Sequence, residues 1–414
     1  MINPFPVVSA DFRKSLPGIL AVIVLIAFAV ALGVAVSTQE RALRKGSARA
    51  ADPFDLIVGA PGSPTQLVLT TVYLQPHALP LIPADVLNNL QGEAGVEWVS
   101  PVAFGDFYQG HPVVGATTAF LSQGGRNAPG EGRLFQRSSE AVVGIDVSLR
   151  LGESFQPVHG AASPLQADAG FGNHEASLTV VGRMARLGSP WDRAIVVPVE
   201  AVRELHGLGK GHTPVPEGHH DEHEDSKIGP PWKEEEMAAS PAVVVKPRTV
   251  SDAYRLRNKY RTGGTMALFP AEVLVELYAT MGDIRDILAV ISVLTQVLVI
   301  GAILLAVFAS LQIKRKQLAV LRALGASQGY VFTVVWIHVT VMILLGTAVG
   351  FCLGWFGAWC LSYFFAGKTG LFLPVAPAFK EIVMALALVI LGSVLALVPS
   401  FAVYRQSVSK ALRS

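Results

Sequence analysis

Four apolar runs divide this chain unevenly, covering residues 17–37, 287–311, 331–365 and 382–403. The first, about 21 residues at 1.5 Å each, spans roughly 31 Å as a helix, the thickness of a hydrocarbon core. Inside a bilayer each backbone N–H and C=O must find its partner within the segment, which favours helices for runs of this length. The expected fold is an α-helical membrane protein with four transmembrane helices. A large mixed α/β extracytoplasmic domain, residues 38–286, is inserted between helices 1 and 2. The first run is longer than the apolar stretch of a cleaved leader and reads as a retained anchor.

Composition supports this division. The chain is 51% hydrophobic but only 15% charged, where an ordinary soluble protein carries about 25% charge. A net charge of +2 gives no footing for nucleic-acid binding, so basic residues matter here by position rather than by sum. Both cysteines, Cys352 and Cys360, fall within the third run. The inserted domain must therefore fold without disulfides, and both thiols are expected as buried small hydrophobes.

Basic residues at the ends of the runs set the orientation. Arg13 and Lys14 precede the first run, Lys314, Arg315, Lys316 and Arg322 separate the second from the third, and Arg405, Lys410 and Arg413 follow the fourth. Both termini and the segment 312–327 are expected in the cytoplasm. Arg41, Arg44, Lys45 and Arg49 run against that bias, but they precede a long domain, where the rule is weak. The layout read from the sequence is an interfacial 1–16, a span at 17–37, the outer domain 38–286, and a span at 287–311. A cytoplasmic segment 312–327, a span at 328–365, a short outer loop 366–381, a span at 382–403 and a cytoplasmic tail 404–414 complete it. The chain is thus expected to be multi-pass in the inner (plasma) membrane, in contact with lipid.

Within the outer domain, β-branched runs bounded by Gly or Pro predict strands near 55–58, 98–103, 141–145, 177–181, 194–197 and 242–245. Residues 37–44 continue the first span helically, and Pro270 opens a helical pattern leading toward the second, so stalk helices are expected at both ends of the domain. In the third run Gly346, Gly350 and Gly354 recur at four-residue spacing, which bares backbone on one helix face and permits close helix approach. Thr295, Gln296 and His338 are the main polar interruptions of the spans, and His338 is expected to make a satisfied or interfacial contact.

One site-like stretch lies outside the membrane, a His-rich loop over 206–225. It carries His212, His219, His220, Asp221, Glu222 and His223, with His206 just upstream. Imidazoles mixed with carboxylates suit Zn²⁺ or a similar borderline cation. The opposing reading is a solvated charged loop. No Walker A pattern, Gly-x-Ser-x-Gly elbow, His-Glu-x-x-His or Cys-x-x-Cys occurs, so no catalytic residue is assigned and the chain is not expected to be an enzyme.

The segment 312–327 is basic and amphipathic. Leu318, Leu321 and Leu324 form an apolar stripe at helical spacing with cations beside it, suited to docking in a groove of a soluble partner. Gly325 fits a helix C-cap and Ser327 an N-cap for the third span. The string Arg315, Lys316, Gln317, Leu318, Ala319, Val320, Leu321, Arg322, Ala323, Leu324, Gly325, Ala326 resembles the loop after the second span in ABC transporter permeases of the MacB, LolC/LolE and FtsX superfamily. That loop commonly reads Arg-Glu-Ile-Gly-Ile-x-Arg-Ala-Leu-Gly-Ala. The tail from Pro399 through Val408 to Arg413 is also similar to the family's, and the order of one span, a large outer domain and three spans agrees. Two departures stand out: Gln317 replaces a frequent acidic residue, and the usual proline before Val408 is missing.

The resemblance implies a MacB-like periplasmic core domain and a homodimer, or a heterodimer with a similar permease. It also implies a separate ABC ATPase that binds ATP and Mg²⁺ in place of this chain. Residues 315–318 and 321–326 would couple to that ATPase, and motion would pass to the outer domain by mechanotransmission. The substrate class implied is an envelope lipoprotein, peptide or small molecule. The His-rich loop adds an expected link to zinc homeostasis and to a periplasmic or metal-binding partner. Two other readings stay open: a regulatory scaffold like FtsX that activates an envelope enzyme, and a membrane-anchored metal sensor without an ATPase.

Overall fold

The computed structural model describes residues 4–14, 16–159, 177–209, 227–233, 238–261, 264–280 and 324–397, together with isolated positions between 282 and 322 and at 400–401. The chain forms two compact bodies. One comprises Met1–Arg44, Gly282–Phe364 and Pro374–Ser414; the other comprises Lys45–Met281 and Phe365–Leu373.

The second body is a mixed α/β domain. Its strands are β1 (Leu56–Gly59), β2 (Val96–Tyr108), β3 (His111–Ala116), β4 (Glu131–Gly132), β5 (Glu140–Val143), β6 (Ser154–Phe155), β7 (Val158–His159), β8 (Leu178–Arg183), β9 (Ile195–Pro198), β10 (Ala242–Pro247) and β11 (Met266–Leu268). They join in the order β11-β1-β10-β2-β3-β9-β5-β8-β4, with β6 on β8 and β7 on β2. The pairs β3–β9 and β5–β8 are parallel and the remainder antiparallel.

The central strands are buried on both faces, which is why they read as near-continuous Val/Ile/Ala runs rather than alternating ones. Side chains alternate across a strand, so neighbours enter different cores. Ile57, Val142, Val196 and Val244 pack on one face with Phe54, Phe120 and Trp191. Leu56, Val58, Val243 and Val245 enter a second core, and Ala141, Val143, Ile195 and Val197 a third. Helices α3 (Pro64–Thr71) and α8 (Pro270–Thr280) add Leu67, Val68, Val273 and Leu274 to the first core. Helices α4 (Ala84–Gln91) and α7 (Val250–Tyr260) contribute Leu87, Leu90, Leu256 and Tyr260 to the second. Helix α6 (Val199–Leu205) contributes Ala201 and Val202 to the third. A short α5 (Thr118–Leu121) carries Phe120, whose ring centroid lies 4.8 Å from that of Trp191.

The first body contains α1 (Phe5–Lys14) and residues of three further helices: α2 (Leu16–Ala51), α9 (Gln328–Thr369) and α10 (Phe379–Leu395). Two of these, α2 and α9, are long and apolar enough to cross a membrane. Each outruns its expected span: α2 continues past 37 to Ala51 and α9 past 365 to Thr369, so the loop expected at 366–381 narrows to 370–378. Ile26, Val30 and Val34 of α2 pack with Val339, Met342 and Ile343 of α9. The Trp336 indole N–H donates to the Ser393 carbonyl of α10 at 2.9 Å.

Much of the outer face of α9 stays apolar and uncovered, with Leu353, Trp355, Phe356 and Trp359 all exposed. Such a surface suits lipid rather than water. Cys352 and Cys360 also lie on the exposed surface, correcting the expectation that both are buried. Helix α9 is apolar around most of its circumference, so a small side chain there gains nothing by turning inward.

Candidate functional site

The glycines of α9 meet the backbone of α2. A Cβ on Gly346 would lie 2.7 Å from Ile26 Cβ, one on Gly350 2.5 Å from the Ala27 carbonyl oxygen, and one on Gly354 2.5 Å from the Ala31 carbonyl oxygen. No larger side chain fits without parting the helices. Gly357, off this stripe, has open space where its Cβ would be.

Glu381 joins α10 to α2 through polar contacts. Its carboxylate is 1% exposed and accepts from the Arg41 guanidinium, from Ser37 Oγ at 2.9 Å and from the Ala378 N–H at 2.9 Å. Arg41 also donates to the Ala376 carbonyl at 2.6 Å. The acid at N3 of α10 thereby caps its own helix while holding a cation on α2. Neither partner stood out in the sequence, because 340 residues separate them. His338 makes a tilted ring contact with Phe12 at 4.9 Å; Thr295 and Gln296 lie outside the described residues.

Of the expected coupling residues, Arg315, Lys316, Gln317, Leu318, Leu321 and Ala323 lie outside the described residues, whereas Arg322, Leu324, Gly325 and Ala326 are described. The Leu324 N–H donates to the Val320 carbonyl at 2.9 Å and the Gly325 N–H to the Arg322 carbonyl at 3.1 Å. Gly325 then adopts φ +99°, a conformation that favours glycine and ends the turn. Ser327 Oγ accepts the Tyr330 N–H at 3.2 Å and starts α9. Leu324 is 81% exposed, an apolar side chain held in the open at a tight connection.

Residues His212, His219, His220, Asp221, Glu222 and His223 lie outside the described residues. The stretches flanking them are both gripped by α6. Upstream, the Leu208 N–H donates to the Arg203 carbonyl at 2.7 Å. Downstream, buried Glu200 accepts the Gly229 N–H at 2.8 Å and the Trp232 indole N–H at 2.6 Å. Arg203 donates to Ser240 Oγ at 2.9 Å, and burial pushes its guanidinium below the usual arginine range.

His206, expected as the start of the loop, is instead the C-cap of α6. It meets two residues that sequence reasoning missed. His206 Nε2 lies 3.1 Å from His159 Nδ1 and 3.5 Å from Asp106 Oδ1, while His159 Nδ1 lies 3.2 Å from Asp106 Oδ1. Asp106 and His159 face each other directly across β2 and β7. Separations of 53 and 47 positions in the chain hid this grouping.

Comparison with known proteins adds a family. Residues 289–408 match the model described as FtsX-like permease C-terminal. No curated protein matches the chain. Among solved structures, the chain is similar to one titled "Crystal structure of the extracellular domain of noncanonic ABC-type transporter YknZ from Gram-positive bacteria". That match has 13% identity and a TM-score of 0.28, and covers 51% of this chain and 98% of that one. The matched family region includes the basic loop 312–327, α9 and α10, the same stretch whose motif resembles the superfamily. The chain carries an FtsX-like permease C-terminal domain at residues 289–408.

Proposed function

We propose that this chain is the transmembrane subunit through which a separate ABC ATPase moves a large extracytoplasmic domain. The observation that carries the reading is the family match over 289–408, which encloses the basic amphipathic segment. ATP binding and hydrolysis belong to the partner chain; this one contributes a docking surface and helices that transmit displacement. Four spans, with both termini and 312–327 in the cytoplasm, put the segment within reach of such a partner. Helix α2 supports transmission: its 36 residues extend about 54 Å without a break, well beyond the thickness of a hydrocarbon core. The tight glycine contact of α9 with α2 favours rigid-body movement over bending.

In this reading two copies, or one copy and a similar permease, assemble with the ATPases and act on an envelope lipoprotein, peptide or small molecule. The run His212–His223 adds a link to zinc handling, since its imidazoles and carboxylates are borderline-cation donors.

The test is co-expression with an ABC ATPase followed by pull-down. Leu321→Asp puts a charge on the apolar stripe and should detach the ATPase while the permease still inserts. Unchanged association would count against docking at this segment. Cysteine labelling that found residues 315 and 219 on the same side of the membrane would overturn the topology.

A further inference from the structure

We propose that Asp106, His159 and His206 form a Zn²⁺ site on the large domain, built from residues other than His212–His223 and independent of the transport reading. The three ligand atoms, Asp106 Oδ1, His159 Nδ1 and His206 Nε2, make a triangle with edges of 3.1, 3.2 and 3.5 Å. Zinc bonds of about 2.0–2.1 Å in a tetrahedral arrangement separate neighbouring ligand atoms by about 3.3 Å. The triangle therefore has the dimensions of one face of a zinc tetrahedron.

The backbone explains why the three converge. The β2–β3 ladder shifts register between Ala103 and Asp106, and Gly105 within that bulge has φ +147°, beyond the reach of most side-chain-bearing residues. Past the bulge Asp106 pairs with both Val113 and His159. His206 is held from the other direction. Its Nδ1 lies 2.7 Å from the Val202 carbonyl and donates to it. That bond assigns the ring proton to Nδ1 and turns the Nε2 lone pair toward Asp106 and His159. A metal-binding histidine is oriented in the same way, its second nitrogen donating to a carbonyl.

The donor set selects the ion. Two imidazoles and one carboxylate suit Zn²⁺, whereas Ca²⁺ and Mg²⁺ demand all-oxygen shells. Asp106 is wholly buried, His206 is 22% exposed and His159 51% exposed, so the site has a buried floor and an open mouth. Among the described residues the site brings three protein ligands together, the number that zinc sites with an open fourth position use.

The experiment uses the full-length chain in detergent micelles. His212, His219, His220 and His223 are all replaced by Ala, so that the His-rich run cannot report. Titration calorimetry with ZnCl₂ should still detect one bound equivalent per chain, unaffected by excess Mg²⁺. Adding His159→Ala or His206→Ala should remove that equivalent. Co²⁺ in place of Zn²⁺ should give the visible absorption of a tetrahedral site in the background protein and lose it in both variants. His159 is half-exposed at a strand end, so its replacement keeps the fold, and an unchanged circular dichroism spectrum checks this. No binding by the background protein overturns the proposal, as does an isotherm that His159→Ala and His206→Ala leave unaltered. ATPase pull-down is read separately, so loss of this site leaves the permease reading standing.

Discussion

The guanidinium of Arg41 and the carboxylate of Glu381 form an ion pair in which the acid is almost fully buried and the cation only partly so. Removing one partner of such a pair strands the other, at a cost of about 3–5 kcal/mol. Arg41→Ala should therefore lower the thermal stability of the full chain in detergent by about that amount. Glu381→Gln should cost less, because its amide oxygen can still accept from Ser37 Oγ. If the two substitutions lower the melting temperature equally, the buried charge is not the source of the effect.

The glycine contact predicts position-specific overpacking. Gly350→Leu should destabilise the chain by about 1–3 kcal/mol, because its Cβ collides with backbone rather than with a yielding side chain. Gly357→Leu meets open space and should leave the melting temperature unchanged. The comparison of the two in one detergent is the measurement; equal effects would mean that glycine content matters rather than the face it occupies.

Leu324→Asp separates docking from folding. The side chain is exposed, so the substitution should change stability by less than about 0.5 kcal/mol. It should nonetheless reduce the amount of ABC ATPase recovered with the permease. Full recovery would remove Leu324 from the docking surface and leave the claim to Leu318 and Leu321.

Arg133 holds the Glu140 carboxyl below the usual carboxylate range, chiefly through paired hydrogen bonds. A depressed carboxyl binds its proton more weakly in the folded state than in the unfolded one. Its contribution is therefore present above the ordinary glutamate value, about 4.3, and is lost as pH falls through the lower folded value. Unfolding of Glu140→Gln protein should depend less steeply on pH below about 4 than unfolding of the parent. Parallel curves would refute the coupling.

All six predicted strand segments overlap strands of the domain, 242–245 falling wholly within Ala242–Pro247. They were legible because strands buried on both faces need unbroken apolar runs, and Gly or Pro marks their ends. His111–Ala116 escaped notice, since its polar start and internal Pro112 and Gly115 weaken the pattern. The caps at Gly325 and Ser327 were legible because each uses one residue type for one local job. The Asp106, His159 and His206 grouping was not, because a bulge, a strand pairing and a helix end had to meet before its members became neighbours.

Helix α6 clasps the chain on both sides of residues 210–226, through Arg203 and Glu200. Once the two ends of a segment are pinned, doubling its length costs only about 0.6 kcal/mol of closure entropy. A change in the length or composition of that stretch is thus tolerated at little cost, while the sheet keeps its form.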